Sequence, residues 1–236
     1  MVKKFFKIIL IVLVVLTVAA GSLAIWQRKN IASIVVGIKE TDREIERRRN
    51  ENQSQLVSEV SSQLENPLRD MTEEEKQEVD KGNMTIVDVY SKIFEERKQE
   101  LERSKGSTSS SNISQKIEDK PTKDEIITKY MAQLYKLQNE FTAKAEATIS
   151  QGASYYEKLK KHPQDAEARA STITHFTPIV RGIESECNKK VDTAIANLKK
   201  ELEEIGAETD IIGTIKATYE NEKQLKLSFY ANKYLK

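Results

Sequence analysis

The sequence has little of what sheets, disulfide frameworks and nucleic-acid-binding surfaces need. Among its 236 residues there are only 8 glycines and 4 prolines, and β-sheets draw on these residues for their turns. A single cysteine, Cys187, excludes a disulfide within the chain. The formal net charge is +1, which leaves no excess of positive charge to release counterions from phosphate. These scarcities favour an all-α protein and argue against a dedicated nucleic-acid binder.

The sequence patterns that carry common chemistry are also missing. The chain contains no GxGxxG, GxxxxGK[ST], GxSxG, HExxH, CxxC or EF-hand spacing. Three residues have reactive side chains, His162, His175 and Cys187, but a Cys–His nucleophile or a metal site needs such groups close together. Cys187 falls on an apolar helical stripe, where a free cysteine behaves as a small hydrophobic residue. We therefore predict no enzymatic activity, no cofactor and no metal site.

What the sequence does have is a long apolar run near its start. Residues 8–26 contain no charged side chain, and as a helix they would span about 28 Å, close to the roughly 30 Å hydrocarbon core of a bilayer. Basic residues flank both ends of the run, and aromatic rings mark its boundaries. We predict a transmembrane signal-anchor over residues 1–27. The residues assigned to the membrane are Ile8, Leu10, Val14, Leu16, Leu23 and Trp26.

A cleaved signal peptide is the alternative interpretation of this run. Val18 and Ala20 could precede a cut at Gly21, and cleavage would give a secreted protein. The run continues past these sites to Trp26, which is longer than the usual apolar region of about 7–15 residues in a signal peptide. The short basic tail before the run favours a single-pass protein with an extracytoplasmic body. The reverse orientation, with the body facing the cytoplasm, is the second alternative.

Residues 28–104 have the composition of a helical stalk. A helix is predicted over residues 31–64, because apolar residues recur every four positions near its end. Before them the sequence is almost wholly polar, and we interpret Arg47–Arg49 as part of a solvated helix surface with acids nearby. Pro67 is expected to end this helix, because the residue before a proline is pushed out of the α conformation.

Two capping patterns predict further helices in the stalk region. Thr72 with Glu75, and Thr85 with Asp88, have the spacing in which a threonine hydroxyl and an acidic side chain satisfy each other's backbone N–H groups. Gly82 is expected to end the first of these helices, since glycine readily adopts the left-handed conformation found after a helix.

A serine-rich stretch, residues 105–122, separates the stalk from the C-terminal half of the chain. Its small polar side chains cannot bury enough apolar surface to fold, so we predict a flexible linker. Residues 123–236 are then predicted to form a helical bundle or coiled coil, because apolar residues recur at steps of three and four through long segments. The stripes include Ile126, Tyr130, Leu134, Leu137 and Phe141, then Val180, Ile183, Cys187, Val191 and Leu198, then Ile211, Ile215 and Leu225.

Three positions predict where the helices of this bundle begin and end. Pro163 and Pro178 each suit the first turn of a helix, because the N–H that proline lacks has no partner there. Gly206 suits a helix end. Long helices joined by such short breaks pack as antiparallel neighbours, each burying its apolar stripe against the others.

Tyrosine is concentrated in the predicted bundle. Every tyrosine except Tyr90 lies after residue 120. Neighbours in sequence cannot both point into one core, so some of these rings must lie at the margin of the bundle. Exposed aromatic rings are favoured contact residues in protein interfaces. The candidate partner-binding residues are Tyr155, Tyr156, Tyr219, Tyr230 and Tyr234.

Together these features predict a membrane-tethered helical structural or adaptor protein of the cell envelope. Its expected partners are membrane lipid, through the N-terminal helix, and another protein or a second copy of itself. One alternative is an extracytoplasmic module that binds a ligand or cell-wall polymer, and another is a membrane scaffold that faces the cytoplasm. The sequence leaves open whether the stalk helices and the bundle helices pack on each other.

Overall fold

A computed structural model describes residues 41–107, 120–162 and 165–235. These residues form six α-helices and no strand. The predicted all-α class and helical bundle are confirmed for this part of the chain. The helices are α1 (Asp42–Ser62), α2 (Glu73–Asp80), α3 (Ile86–Ser107), α4 (Lys123–Leu159), α5 (Ala166–Glu204) and α6 (Ile211–Leu235).

The predicted transmembrane segment, residues 1–27, lies outside the described residues, as do residues 108–119 of the predicted linker. Within residues 41–107, 120–162 and 165–235, no helix is both long enough and apolar enough to cross a bilayer. The helix predicted over residues 31–64 is present as α1 from Asp42 to Ser62, and the prediction is wrong at residue 41: Thr41 is not helical, and its hydroxyl accepts the Glu44 N–H at 3.2 Å, which caps the start of α1.

The predicted helix caps are present between α1 and α3. The Thr72 hydroxyl accepts the Glu75 N–H at 3.1 Å, and the Glu75 carboxylate accepts the Thr72 N–H at 2.9 Å. Thr85 and Asp88 make the same exchange, at 3.2 Å and 3.0 Å. Gly82 follows α2 with a φ of +74°, a conformation that glycine adopts without strain. These local signals were therefore sufficient to predict the boundaries of α2 and the start of α3.

The boundaries of the long helices are confirmed at two of the predicted positions. Thr122 and Glu125 cap the start of α4 through reciprocal bonds of 3.3 Å and 2.9 Å. Gly206, with a φ of +72°, follows the end of α5. Pro163 lies outside the described residues. Pro178, predicted to begin a helix, instead lies inside α5, which is one helix of 39 residues; packing along both sides of the proline outweighs the single hydrogen bond that it removes.

Contacts between the helices divide the chain into two compact units. The first unit comprises Met1–Asn52, Phe141–Asn188 and Thr218–Lys236, and the second comprises Gln53–Glu140 and Lys189–Ala217. Helices α1, α4, α5 and α6 each contribute residues to both units. Each unit is therefore assembled from parts of the chain that are distant in sequence.

The second unit joins helices from before and after the predicted linker. The Tyr135 hydroxyl of α4 donates to Gln53 Oε1 of α1 at 3.0 Å, in a buried position. The Tyr135 ring also stacks on Phe94 of α3, with centroids 5.4 Å apart. Phe94 is 0% exposed and Tyr135 2%. The sequence left open whether the stalk helices pack on the bundle helices. Within this unit they do, because α1, α3 and α4 share one core.

Asp124, at the start of α4, binds the segment that follows α1. Its carboxylate accepts the backbone N–H groups of Glu65 at 3.0 Å and Asn66 at 3.4 Å, and the Arg97 guanidinium of α3 lies 3.6 Å away. Asp124 is only 5% exposed. A buried carboxylate must be compensated by such partners, so this contact fixes the end of α1 against α4 in the second unit.

The described part of the first unit has a small apolar core and several buried polar residues. Six of its described apolar residues are buried, and the other buried apolar residues that the structure describes belong to the second unit. The six are Ile45, Phe141, Tyr156, Ala168, Phe176 and Leu225. Buried polar residues of this unit are Thr148, Asp165, Thr172, Thr218, Glu222 and Ser228.

Candidate functional site

An aromatic cluster lies where α4 and α5 pack in the first unit. The Tyr155 ring stacks on the His175 ring, with centroids 4.8 Å apart and an angle of 9° between the planes. The Phe176 ring is nearly perpendicular to both, with its centroid 5.7 Å from that of Tyr155 and 5.0 Å from that of His175. Phe176 is buried, Tyr155 is partly exposed and His175 is exposed. A buried ring thus supports two rings that remain accessible to solvent.

Ile179 extends this cluster by one turn of α5. It follows His175 by four residues, which places the two side chains on the same side of the helix. Its exposure of 40% is high for a large apolar residue, and neighbouring exposed apolar groups mark interaction surfaces more reliably than scattered ones. We call Tyr155, His175 and Ile179 the aromatic patch.

The turn that connects α4 to α5 is a second exposed feature. Leu159, the last residue of α4, is 39% exposed, and Lys158 and Lys161 beside it are exposed as well. Tyr156 lies in the core behind them, in contact with Ala168. We call residues 158–162 the hairpin tip, a short segment that combines an exposed leucine with exposed lysines.

Asp165 forms hydrogen bonds with both the hairpin tip and the start of α5. Its carboxylate accepts the N–H of Ala168 at 2.9 Å, which caps α5, and the N–H of Lys161 at 3.0 Å, which closes the turn. These backbone hydrogen bonds lower the pKa of Asp165, so the carboxylate stays charged at neutral pH. The tip is therefore a defined turn fastened to the start of a long helix.

Cys187 contacts polar side chains of α5 and α6. Its Sγ lies 3.5 Å from the Tyr219 hydroxyl, which donates to Asn188 Oδ1 at 2.8 Å. The Lys223 ammonium donates to the same oxygen at 3.2 Å. Burial raises the pKa of the Cys187 thiol, which disfavours the nucleophilic thiolate. These contacts support a structural role for the cysteine.

The three residues with reactive side chains are held by different neighbours. His175 stacks on Tyr155, and Cys187 lies three turns further along α5, about 18 Å away by helical rise. His162 is exposed in the hairpin tip. Across the described ranges, no three His, Cys, Asp or Glu side chains are grouped to hold a metal ion. His175 and Cys187 therefore do not form a pair.

The three candidate aromatic residues that the structure describes have different surroundings. Tyr155 belongs to the aromatic patch, and Tyr219 is partly exposed beside Cys187. Tyr156 is 1% exposed, so its prediction as a contact residue is corrected: consecutive helical residues point about 100° apart, and Tyr156 is the one that turns inward. The side chains of Tyr230 and Tyr234 lie outside the described part of the chain.

A buried ion pair links α1 to α6 in the first unit. Arg49 Nε donates to Glu222 Oε1 at 2.8 Å, and the two side chains are 11% and 8% exposed. Arg47 is 60% exposed and pairs with Glu51 of its own helix. The prediction of a solvated Arg47–Arg49 surface is therefore wrong for Arg49, because Glu222 supplies a buried partner from a distant part of the chain.

Glu75 is the centre of an ionic network in the second unit. Arg69 donates to its two carboxylate oxygens at 2.8 Å and 3.0 Å, and Lys92 donates to it at 2.9 Å. The Arg69 hydrogen bonds, assisted by Lys92 and the Thr72 backbone, lower the pKa of Glu75 to about 2 against the opposing effect of burial. Arg69 also bonds Glu96 at 2.7 Å, so the network ties α2 and the preceding loop to α3.

This network predicts a loss of stability in acid. In the folded chain the pKa of Glu75 lies below its ordinary value of 4.5. The stability that the Glu75 carboxylate contributes is therefore complete above about pH 4.5 and is lost as the pH falls toward 2. Urea unfolding at neutral pH and at pH values between these limits should show the decline. Glu75→Gln should lower stability at neutral pH and flatten the decline; an unchanged slope would contradict the assignment.

A cleft in the second unit offers little room for a small molecule. Its volume is about 210 Å³, with Leu101, Pro121 and Ile126 among its lining residues. Lys129, also in the lining, donates to both oxygens of Glu201 at 2.7 Å. Typical ligand pockets are larger, about 300–1,000 Å³. The cleft therefore does not favour the ligand-binding alternative.

Comparison with known proteins assigns no family to the chain. No family model, curated protein or solved structure matches it. The functional proposal therefore depends on the predicted anchor and the aromatic patch.

Sequence reasoning missed His175 and Ile179 as parts of an exposed surface. His175 is recognisable from sequence only as a reactive group, and Ile179 alone carries no signal. The signal that could have found them is their spacing of four residues, which places two side chains on the same side of a helix. Pro178 lies between them, at a position that the sequence analysis assigned to the start of a helix. Because Pro178 predicts a new helix, the sequence does not place the two residues on one continuous surface.

Proposed function

We propose that this chain is a membrane-tethered helical adaptor of the cell envelope, with its body outside the cytoplasm. The anchor is the apolar run of residues 8–26, and the surface that binds a protein partner is the aromatic patch. The observation that carries the proposal is the stacked Tyr155–His175 pair beside Ile179, which is 40% exposed. Large side chains of this kind dominate the energetics of protein interfaces.

Two rings of the patch pack on each other and on a buried side chain. Phe176, buried beneath it, contacts both the Tyr155 and the His175 rings. Rings held in this way lose little conformational freedom on binding, and preorganised side chains lower the cost of association. This supports a contact surface for a folded partner.

The same geometry favours a protein partner over a cell-wall polymer. A sugar ring would stack on an open aromatic face, but Tyr155 and His175 each cover one face of the other at 4.8 Å. The partly exposed Tyr155, the exposed His175 and the Ile179 side chain, which is 40% exposed, offer apolar area for packing against the side chains of a protein partner.

Site-specific photo-crosslinking would test the patch. In the full chain, a photoreactive phenylalanine analogue at Ile179 should crosslink to a partner in the native membrane. Tyr155→Ala in the same chain should reduce the yield by about 30-fold, as expected for the loss of about 2 kcal/mol at an interface hot spot.

The matched control places the same analogue at Lys200. This residue belongs to the same helix and its side chain is 73% exposed, so it should give no specific product. Equal crosslinking from Ile179 and Lys200, or a product from Ile179 that Tyr155→Ala does not change, would overturn the assignment of the patch.

A further inference from the structure

The register of α4 against α5 in the first unit follows from two contacts. The Tyr155 ring stacks on the His175 ring at 4.8 Å, and the Lys144 ammonium donates to a Glu186 carboxylate oxygen at 3.2 Å. Going back from Tyr155 to Lys144 along α4 therefore means advancing by the same number of residues along α5. The two helices run antiparallel, and a residue four positions after His175 is approximately level with the residue four positions before Tyr155.

Leu159 continues the aromatic patch along α4. It follows Tyr155 by four residues, so the two side chains lie on the same side of the helix. Leu159 is 39% exposed and Ile179 is 40% exposed, and these are the exposed large apolar residues of the part of the chain that the structure describes. In the antiparallel register they lie on opposite sides of the Tyr155–His175 pair, each one helical turn away. Their separation along the helices is therefore about 12 Å.

The surface around the patch carries no charged side chain. Residues 147–156 of α4 and residues 170–180 of α5 contain no Asp, Glu, Lys or Arg, and the antiparallel register places the two segments side by side. The exposed side of a helix normally carries charged residues. An uncharged band that also exposes large apolar groups is typical of an interaction surface.

Positive charge lies at the end of this band that is nearer the hairpin tip. Lys158 and Lys161 are both exposed, and Lys158 follows Tyr155 by three residues, on the same side of α4. The neighbouring Glu157 pairs with Lys160 at 2.6 Å, and the Asp165 carboxylate accepts two backbone N–H groups. The acids nearest to the two lysines are therefore engaged by other groups.

The opposite end of the band is electrically compensated. Lys144 and Glu186 pair there at 3.2 Å, one from each helix. Glu167 lies in the first turn of α5, but it is displaced by about 80° around the helix from His175. The band thus has a basic end at the hairpin tip and a neutral end at the Lys144–Glu186 pair.

We propose that the aromatic patch and Leu159 together receive one amphipathic helix of the partner protein, with the acidic end of that helix at the hairpin tip. Apolar side chains from three successive turns of the partner helix contact Leu159, the Tyr155–His175 pair and Ile179. Its carboxylates lie near Lys158 and Lys161. This inference rests on the proposed function, in which the aromatic patch binds a protein, and it specifies the chemistry of that protein.

A helix fits this surface better than an extended strand does. A third helix laid along an antiparallel pair buries its apolar stripe in the way that bundle helices do, and docked helices contact a partner at steps of three and four residues. A helix also satisfies its own backbone hydrogen bonds. A strand would place backbone N–H and C=O groups against an apolar, uncharged surface that offers them few partners.

Mapping of crosslinked positions would test the helical partner. The full chain carries a photoreactive phenylalanine analogue at Leu159 in one variant and at Ile179 in another, and the products formed in native membranes are sequenced by mass spectrometry. Both positions should attach to one segment of the same protein, at residues 7 or 8 apart, because about 12 Å corresponds to that length of helix. Sites about 4 residues apart would show an extended segment, and two different proteins would show separate surfaces; either result would overturn the inference.

Charge reversal tests the direction of the partner helix. Lys158→Glu with Lys161→Glu, in the chain labelled at Ile179, should lower the crosslinking yield about fivefold or more in isolated membranes at low ionic strength, since one exposed ion pair changes affinity by up to about fivefold. The loss should shrink at high salt. Thermal unfolding followed by circular dichroism should be unchanged, because both lysines are exposed. Lys199→Glu with Lys200→Glu, at exposed positions of α5, is the matched control and should leave the yield unaltered.

The outcomes distinguish this inference from the proposal on which it rests. A specific product from Ile179 whose yield is the same in both charge-reversed chains keeps the protein-binding patch but overturns the acidic helix. Absence of any specific product from Ile179 overturns the patch and the inference together.

Discussion

Arg49→Met is expected to destabilise the protein by about 3–5 kcal/mol. The substitution removes the positive charge and the 2.8 Å hydrogen bond that Arg49 gives to Glu222, whose side chain is 8% exposed. Weaker compensation of a largely desolvated carboxylate is the physical cause, and the side chain that replaces Arg49 is of similar length. Urea unfolding followed by circular dichroism would measure the change.

Two controls make this result specific to the ion pair. Arg47→Met removes an arginine that is 60% exposed, and a change at such a surface position should stay within about 0.5 kcal/mol. Arg49→Met combined with Glu222→Leu should recover most of the lost stability, because apolar residues of similar volume often replace a buried pair without loss. If Arg49→Met behaves like Arg47→Met, the pair is not buried in solution.

Phe94→Ala is expected to cost about 3–5 kcal/mol. Phe94 is 0% exposed, and its ring stacks on Tyr135 of α4 at 5.4 Å. Truncation removes buried apolar area and leaves a cavity that the surrounding helices only partly fill. Because Phe94 precedes the serine-rich stretch and Tyr135 follows it, the loss should appear in α4 as well as in α3.

Hydrogen exchange read by mass spectrometry would localise this loss. Peptides from both α3 and the first half of α4 should exchange faster in Phe94→Ala than in the parent chain. Ile179→Ala, at a residue 40% exposed, should change neither. Faster exchange in α3 alone would mean that the helices before and after the serine-rich stretch fold independently, contrary to the shared core.

The elements that sequence predicted well are those fixed by short-range interactions. The Thr72–Glu75 exchange joins groups three residues apart, and Gly82 and Gly206 adopt their left-handed conformations next to helix ends. Such signals depend on a few neighbouring residues and on the stereochemistry of glycine. They can therefore be recognised before anything is known of the tertiary contacts.

The polar part of α1 shows what sequence could not predict. Ile45, Arg49 and Gln53 recur every four residues, and Ile45 and Gln53 are 0% and 2% exposed. The same spacing of four residues occurs in the apolar stripe near the end of this helix. Because two of the three residues are an arginine and a glutamine, however, the composition of this part of α1 is that of a solvated surface. Arg49 and Gln53 are buried because Glu222 and Tyr135 satisfy them, and those partners come from distant helices.

The candidate site was predictable in part. The expectation that neighbouring tyrosines cannot share one core is confirmed by Tyr155, which is partly exposed, and Tyr156, which is buried. Which of the two points outward depends on the rotation of α4 against α5, a tertiary property. The stacking of His175 on Tyr155 depends on the same packing.

The polar interior of the first unit has a consequence for the proposed adaptor. Apolar burial is the main source of folding free energy, and the described part of this unit contributes six buried apolar residues. Binding of the proposed partner protein at the aromatic patch would add burial to this unit. We therefore expect partner binding to stabilise the unit.

The most direct test of a tethered, outward-facing adaptor is the fate of a C-terminal tag on the full chain. Carbonate extraction, intact mass and protease treatment of spheroplasts would be measured on the same preparation. We expect full-length protein that stays with the membrane and a tag that protease removes. A soluble product shortened by about 20–24 residues would show a cleaved signal peptide, and a protected tag on membrane-bound protein would show a cytoplasmic body; either result would contradict the account.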